Sequence, residues 1–149
     1  MTPTRLWQEY LTVNPQAGPE PEAWAFGAVP DELADLVACG IKTATSSAYE
    51  LYDLEGEEIP QAGGYDIILD SQDNAVCIIK TTKVYVTPFL QVSEEHAWRE
   101  GEGDRSLSYW RQVHEELFTI WLKEVGLPFS EETLVVCEEF EVVYPCKGE

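Results

Sequence analysis

An amphipathic pattern in the last third of the chain constrains the fold most strongly. Its apolar side chains recur at helical spacing, and they are Leu107, Trp110, Val113, Leu117, Ile120 and Trp121. Ser106 stands at the position of an N-cap, and the Gly-Leu-Pro sequence at residues 126–128 ends the pattern. The pattern predicts a long helix that packs one face against the rest of the protein.

The remaining chain alternates between predicted helices and strands. Helical spacing or helix-boundary residues predict helices over residues 4–13, 30–39 and 91–100, and one or two helical turns over residues 48–54. Residues 65–69 and 76–86 are predicted strands joined by a polar turn, and residues 134–144 form a final predicted strand. This mixture predicts an α+β fold, with a small barrel-like sheet bracketed by helices.

Length and charge limit the possible functions. With 149 residues, the chain has the size of one domain. Its 28 acidic residues against nine Lys and Arg give a net charge of −19, which argues against broad binding to duplex DNA. Most of the basic side chains lie in the middle of the sequence, namely Lys42, Lys80, Lys83, Arg99, Arg105 and Arg111. This distribution predicts a small positive cleft on an acidic body.

Neither a membrane nor a metal is expected. The sequence contains no run of about 18 apolar residues, and its start lacks the basic and apolar regions of a signal peptide, so we expect a cytoplasmic protein. The cysteines are too widely spaced for a metal knuckle, and His96 has no neighbouring Cys or His; the four cysteines are Cys39, Cys77, Cys137 and Cys146. We therefore expect no metal, no other cofactor and no disulfide bond.

Lys42 and the hydroxyls that follow it form the most informative segment for function. Gly40 ends a predicted helix, and residues 43–47 read Thr-Ala-Thr-Ser-Ser. A lysine near hydroxyls can serve as a base for a nucleophile or as a point charge that holds an anion. It can also simply cap the carbonyl groups of the preceding helix end.

The order of these motifs resembles the ASCH domain family, in its larger bacterial branch. The motifs are Gly-x-Lys at residues 40–42, the hydroxyl-rich strand, a strand pair that ends in Val84-x-x-x-Pro88-Phe89, and Gly-Glu-Gly-Asp-Arg-Ser-x-x-Tyr-Trp at residues 101–110. The resemblance covers residues 24–144. It implies a PUA-like pseudo-barrel with flanking helices, and it implies a nucleoside, a nucleotide or single-stranded RNA as the ligand.

Some small members of the family remove the acetyl group of acetylcytidine with a lysine, a threonine and a glutamate. The resemblance assigns these roles to Lys42, Thr45 and Glu100, with Glu102 and Asp104 as rival carboxylates. In this chain, hydroxyls stand where the motif of the family continues to an arginine. The alternatives are an RNA-binding module without catalysis and a ribonuclease of the same fold.

Further residues are candidates for ligand contact: Thr43, Ser46, Ser47, Lys80, Arg105 and Tyr109. Arg105 could hold a phosphate or pair with Glu102 or Asp104. Tyr109 lies one step off the apolar stripe and could stack on a base, whereas Trp110 and His114 are expected in the core.

Overall fold

The computed structural model describes residues 1–27 and 29–145, and this part of the chain contains both helices and strands. The helices are α1 (Pro3–Val13), α2 (Pro30–Ala38), α3 (Tyr49–Leu54), α4 (Glu94–Glu100) and α5 (Leu107–Glu124). The strands are β1 (Ala23–Trp24), β2 (Ala44–Ala48), β3 (Tyr65–Leu69), β4 (Ala75–Pro88) and β5 (Leu134–Tyr144), and a 3₁₀ turn (Phe89–Gln91) follows β4. Cys39, Cys77 and Cys137 are free thiols, while Cys146 lies outside the described residues.

The strands form one mixed sheet in the order β1-β3-β4-β5-β2. The predicted hairpin is confirmed, because β3 pairs antiparallel with β4 from Tyr65 opposite Lys80 onward. β2 is antiparallel to β5, and the short β1 is parallel to β3. The α+β class is confirmed. In the described part of the chain β1 and β2 are edge strands, so the sheet is open and does not close into the expected barrel.

The chain divides into two compact units, each assembled from separate stretches of sequence. The first comprises Met1–Lys42, Ala62–Thr82 and the chain from Phe140 onward. Two apolar clusters fill this unit, one with α1 and the other with α2. Because neighbouring strand residues face opposite sides, Ile67 packs with the α1 cluster and Ile68 with the α2 cluster.

The second unit comprises Thr43–Gln61 and Lys83–Glu139, and α5 supplies much of its core. Ser106 caps α5 as predicted, because its hydroxyl accepts a hydrogen bond from the backbone N–H of Tyr109. The buried face of α5 differs from the predicted stripe: it consists of Trp110, His114, Phe118 and Leu122, whereas Ile120 is 55% exposed. These four residues follow an i, i+4 spacing, and the burial of Trp110 and His114 agrees with the expectation that both lie in the core.

No helix in the described part of the chain is both long enough and apolar enough to cross a membrane.

Candidate functional site

Lys42 lies at the junction between α2 and β2. The backbone N–H groups of Ile41 and Lys42 both donate to the carbonyl of Leu36, at 2.9 and 3.0 Å, which closes the end of α2. The Lys42 side chain is only 1% exposed, and its Nζ lies 5.4 Å from the centre of the Phe26 ring. Lysine is rarely buried so completely unless a partner compensates its charge.

Glu100 is the centre of a buried polar cluster in the second unit. The Ser46 hydroxyl donates to Glu100 Oε2 at 2.6 Å, and Ser46 Oγ lies 2.7 Å from His96 Nε2. His96 Nε2 is itself 3.2 Å from Glu100 Oε2. Glu100 is 2% exposed, so these contacts take place away from bulk water, where hydrogen bonds to a carboxylate are strong.

Two residues of α5 complete the surroundings of Glu100. The indole N–H of Trp110 donates to Glu100 Oε2, and His114 Nε2 lies 3.6 Å from Glu100 Oε1. Burial lowers the pKa of His114, but the negative charge of Glu100 and the 2.9 Å contact of His114 Nδ1 with the carbonyl of Trp110 help to raise it, and the net pKa lies above 6.5. The structure therefore favours a protonated imidazole beside the carboxylate.

Glu100 lines a small pocket. The pocket has about 200 Å³ of empty space, of which only about 10 Å³ admits the centre of a water molecule, enough for one water. Glu100 and Trp110 are buried in it, whereas Tyr109 is partly exposed at its rim. The other lining residues are Ala97, Glu102, Ser106 and His114.

The turn between α4 and α5 forms one side of this pocket. Gly101, Gly103 and Arg105 all have positive φ angles, of 72°, 60° and 64°. The Tyr109 ring packs so closely on Gly103 that a Cβ atom there would lie 2.5 Å from it. The turn thus depends on glycine at residue 103 to bring its backbone against the tyrosine.

The rival carboxylates have different positions. Glu102 lines the pocket, so it remains a candidate beside Glu100. Asp104 instead accepts a hydrogen bond from the backbone N–H of Ser106 at 2.9 Å, and its contacts with Ser106 lower its pKa. Asp104 therefore stabilises the turn that leads into α5.

The other predicted ligand residues are spread over both units. In the second unit, the Thr43 N–H donates to the carbonyl of Arg99 at 2.7 Å, and Ser47 Oγ lies 2.6 Å from the Tyr52 hydroxyl oxygen. Lys80 belongs to the first unit, where its Nζ lies 5.7 Å from the centre of the Tyr65 ring. Tyr65 is also its cross-strand neighbour, so this pair stabilises the hairpin.

Thr45 and Ser46 face opposite sides of β2. Ser46 is opposite Cys137 in β5, on the side that contacts Glu100, whereas Thr45 is opposite Glu138. Glu138 is only 6% exposed. The sequence interpretation missed this second buried carboxylate, although its position within an apolar strand was a visible signal.

His96 was also missed as a member of the Glu100 cluster. The spacing of four residues between His96 and Glu100 places both on one face of a helix, which the sequence already displays. The indole N–H of Trp110 was another missed contact, because an aromatic residue in an apolar stripe signals packing rather than hydrogen bonding.

Comparisons with known proteins agree with this fold. The ASCH domain family model matches residues 22–144. A crystal structure of an Enterococcus faecalis V583 protein assigned to DUF984 is 39% identical, with a TM-score of 0.86, over 95% of this chain and 87% of that one. The ASCH domain from Lactobacillus crispatus JV V101 is 34% identical, also with a TM-score of 0.86, over 94% and 92% of the two chains. A search of curated proteins finds no match. The chain therefore belongs to the ASCH domain family.

Proposed function

We propose that this ASCH domain binds a nucleoside, a nucleotide or a short single-stranded RNA, and that it hydrolyses an acyl amide on the base, as in acetylcytidine. ASCH domains are PUA-like folds that are linked with RNA binding. The observation that carries the proposal is Glu100, a buried carboxylate that holds the Ser46 hydroxyl at 2.6 Å and lines a pocket. A carboxylate with such partners is suited to proton transfer at a reacting group.

The reaction follows from the roles that the family pattern gives to Lys42 and Thr45. Thr45 Oγ1 attacks the acyl carbon and passes its proton to Lys42, and the bond between the acyl carbon and the base nitrogen then breaks. The departing amine must gain a proton, and we assign its delivery to Glu100. Thr45 and Glu100 lie on opposite sides of β2, so the acyl group must bind across the outer edge of this edge strand to meet both. Glu100 takes that proton from the protonated imidazole of His114, whose Nε2 lies 3.6 Å from Glu100 Oε1. Water then hydrolyses the threonine ester: its oxygen bonds to the acyl carbon, the acid leaves, and Lys42 returns its proton to Thr45 Oγ1. The remaining proton of the water restores His114.

The size of the pocket restricts how a substrate can approach Glu100. A pocket with room for one water cannot enclose a nucleoside, since ligand pockets usually measure about 300–1,000 Å³. Only a small group of the substrate can reach Glu100 without movement, so the base should lie at the rim beside Tyr109. The aromatic ring there offers a surface on which a base can stack.

The test is the release of cytidine and acetate from acetylcytidine, followed by chromatography. We expect turnover by the unmodified protein, and we expect Lys42→Met and Glu100→Gln to lower kcat by more than about 100-fold. Methionine keeps most of the volume of the buried lysine, which limits the structural damage. Lys123→Met and Glu116→Gln are matched controls on the exposed side of α5 and should retain full activity.

Two results would contradict the proposal. Absence of turnover by the unmodified protein, together with binding of the nucleoside, would favour an RNA-binding module. Cleavage of unmodified single-stranded RNA that is lost in Lys42→Met would favour a ribonuclease, in which the lysine stabilises a charged phosphate.

A further inference from the structure

Trp98 and Arg105 form a stacked pair on the surface, outside the pocket. The Arg105 guanidinium carbon lies 3.7 Å from the centre of the Trp98 ring, and Trp98 is 55% exposed. Arg105 Nε also donates to the carbonyl of Trp98 at 2.9 Å. The guanidinium is therefore held over the indole by its own hydrogen bond to the same residue.

The backbone at Arg105 is unusual for an arginine. Its φ of 64° lies in the left-handed region, which is unfavourable for a residue with a Cβ. The turn would form more easily with glycine or asparagine at this position. An arginine that remains there despite this cost, with its side chain fixed over an exposed tryptophan, points to a use for the stacked pair itself.

Both residues of the pair are neighbours in the sequence of residues that line the pocket. Trp98 follows Ala97, which lines the pocket, and Arg105 stands between the lining residues Glu102 and Ser106. A polymer that places one base at the rim of the pocket can therefore reach this surface with the neighbouring nucleotide.

We infer that Trp98 and Arg105 form a stacking platform for a nucleobase that flanks the bound nucleoside in single-stranded RNA. A guanidinium plane and an indole both stack on bases, and stacking needs no positive field. That property suits a chain with a net charge of −19, which cannot attract RNA through its overall charge. The inference rests on the proposed function, since it extends the nucleoside site by one nucleotide.

The test uses fluorescently labelled penta-adenylate and penta-uridylate, with affinity measured by anisotropy. We expect tighter binding of penta-adenylate, because purines stack more strongly, and we expect Trp98→Ala to weaken it about tenfold or more. Arg105→Lys should weaken it similarly, because lysine keeps the charge but lacks the plane. Ile120→Ala is the matched control, since Ile120 is as exposed as Trp98 but lies on α5. It should leave the affinity unchanged.

The opposite results overturn the inference. Full affinity in Arg105→Lys would assign the arginine to a phosphate contact, and an equal loss in Ile120→Ala would show that the effect is not local. Turnover of acetylcytidine should be unchanged in Trp98→Ala, and a loss of turnover there would mean that the pair supports the pocket instead. If the unmodified protein turns over acetylcytidine without binding penta-adenylate, the platform fails and the proposed function stands. Conversely, if the unmodified protein binds penta-adenylate through the platform but does not turn over acetylcytidine, the platform stands and the proposed hydrolysis fails.

Discussion

Glu100 shows at the scale of single residues how a charged group is accommodated inside this protein. A buried carboxylate is costly unless hydrogen-bond donors or charges compensate it. Ser46 and Trp110 donate to Glu100, and His114 lies beside it. The same contacts hold Glu100 beside the pocket that it lines, so the stability of the cluster and the proposed chemistry depend on the same atoms.

Substitutions of the neighbouring hydroxyls Ser46 and Thr45 should have different effects. Ser46→Ala removes a donor from a buried carboxylate and should lower the free energy of unfolding by about 1–3 kcal/mol, whereas Thr45→Ala should cost less than about 1 kcal/mol. Urea unfolding measures both. Thr45→Ala should instead lower kcat on acetylcytidine by more than about 100-fold. Abolished turnover in Ser46→Ala, with activity retained in Thr45→Ala, would show that Ser46 is the nucleophile.

The His114 imidazole should make stability depend on pH. Burial lowers its pKa, but the charge of Glu100 and the contact with the carbonyl of Trp110 raise it, and its net pKa in the folded protein is above the ordinary value. The stabilisation is therefore complete below the ordinary pKa of 6.5 and is lost as pH rises through the folded-state pKa. The unmodified protein should have a higher free energy of unfolding than His114→Gln at low pH. This difference should decrease as the pH rises through the folded-state pKa of His114. An imidazole titration midpoint below 6.5 by NMR would refute this assignment.

At the scale of elements, the turn between α4 and α5 determines the shape of the candidate site. Its sequence of glycines and short polar residues permits the positive φ angles that reverse the chain within a few residues. Gly103 lets Tyr109 lie against the backbone, and Arg105 ties the turn back to α4. The turn therefore fixes the rim of the pocket and the stacked pair together.

Gly103→Ala should destabilise the protein by more than the strain of its φ angle alone. The left-handed backbone costs about 1–2 kcal/mol for alanine, and the clash of the new Cβ with the Tyr109 ring adds about 1–3 kcal/mol. Gly126→Ala is the control, because Gly126 has a φ of 78° but open space around its Cβ position. Unfolding in urea measures both variants. An equal loss of unfolding free energy in the two variants would mean that the Tyr109 ring moves aside without cost.

At the scale of the whole molecule, charge governs which nucleic acids can bind. A net charge of −19 repels a long polyanion, so binding must come from local contacts. The first unit contains Lys42 and Lys80, and each lies over an aromatic ring of that unit. With only nine Lys and Arg in the whole sequence, we expect few of them to neutralise phosphates.

The affinity for penta-adenylate should depend only weakly on salt. One or two neutralised phosphates on a single strand give a slope of about −0.7 to −1.4 for the logarithm of affinity against the logarithm of salt concentration. Anisotropy titrations over a range of salt concentrations measure this slope. Duplex DNA should not bind under the same conditions. A much steeper slope would indicate an extended basic surface, contrary to the composition.

The sequence by itself determined much of the fold. The strand at residues 134–144, the hairpin of β3 and β4 and the cap at Ser106 all follow from local patterns, and local patterns need only neighbours along the chain. The parallel pairing of β1 was not predictable, because two residues cannot display a periodicity. The open edge of the sheet likewise depends on pairing between distant strands.

The tertiary structure alone decided which side chains meet. Thr45 and Ser46 are neighbours with similar chemistry, yet only Ser46 shares a face of β2 with Glu100. The face of a strand changes with every residue, so a register shift of one position would exchange their roles. The sequence thus established that a lysine, several hydroxyls and a carboxylate were available for chemistry. Which hydroxyl meets the carboxylate was decided by the register of β2 on β5 and by the packing of α4 and α5.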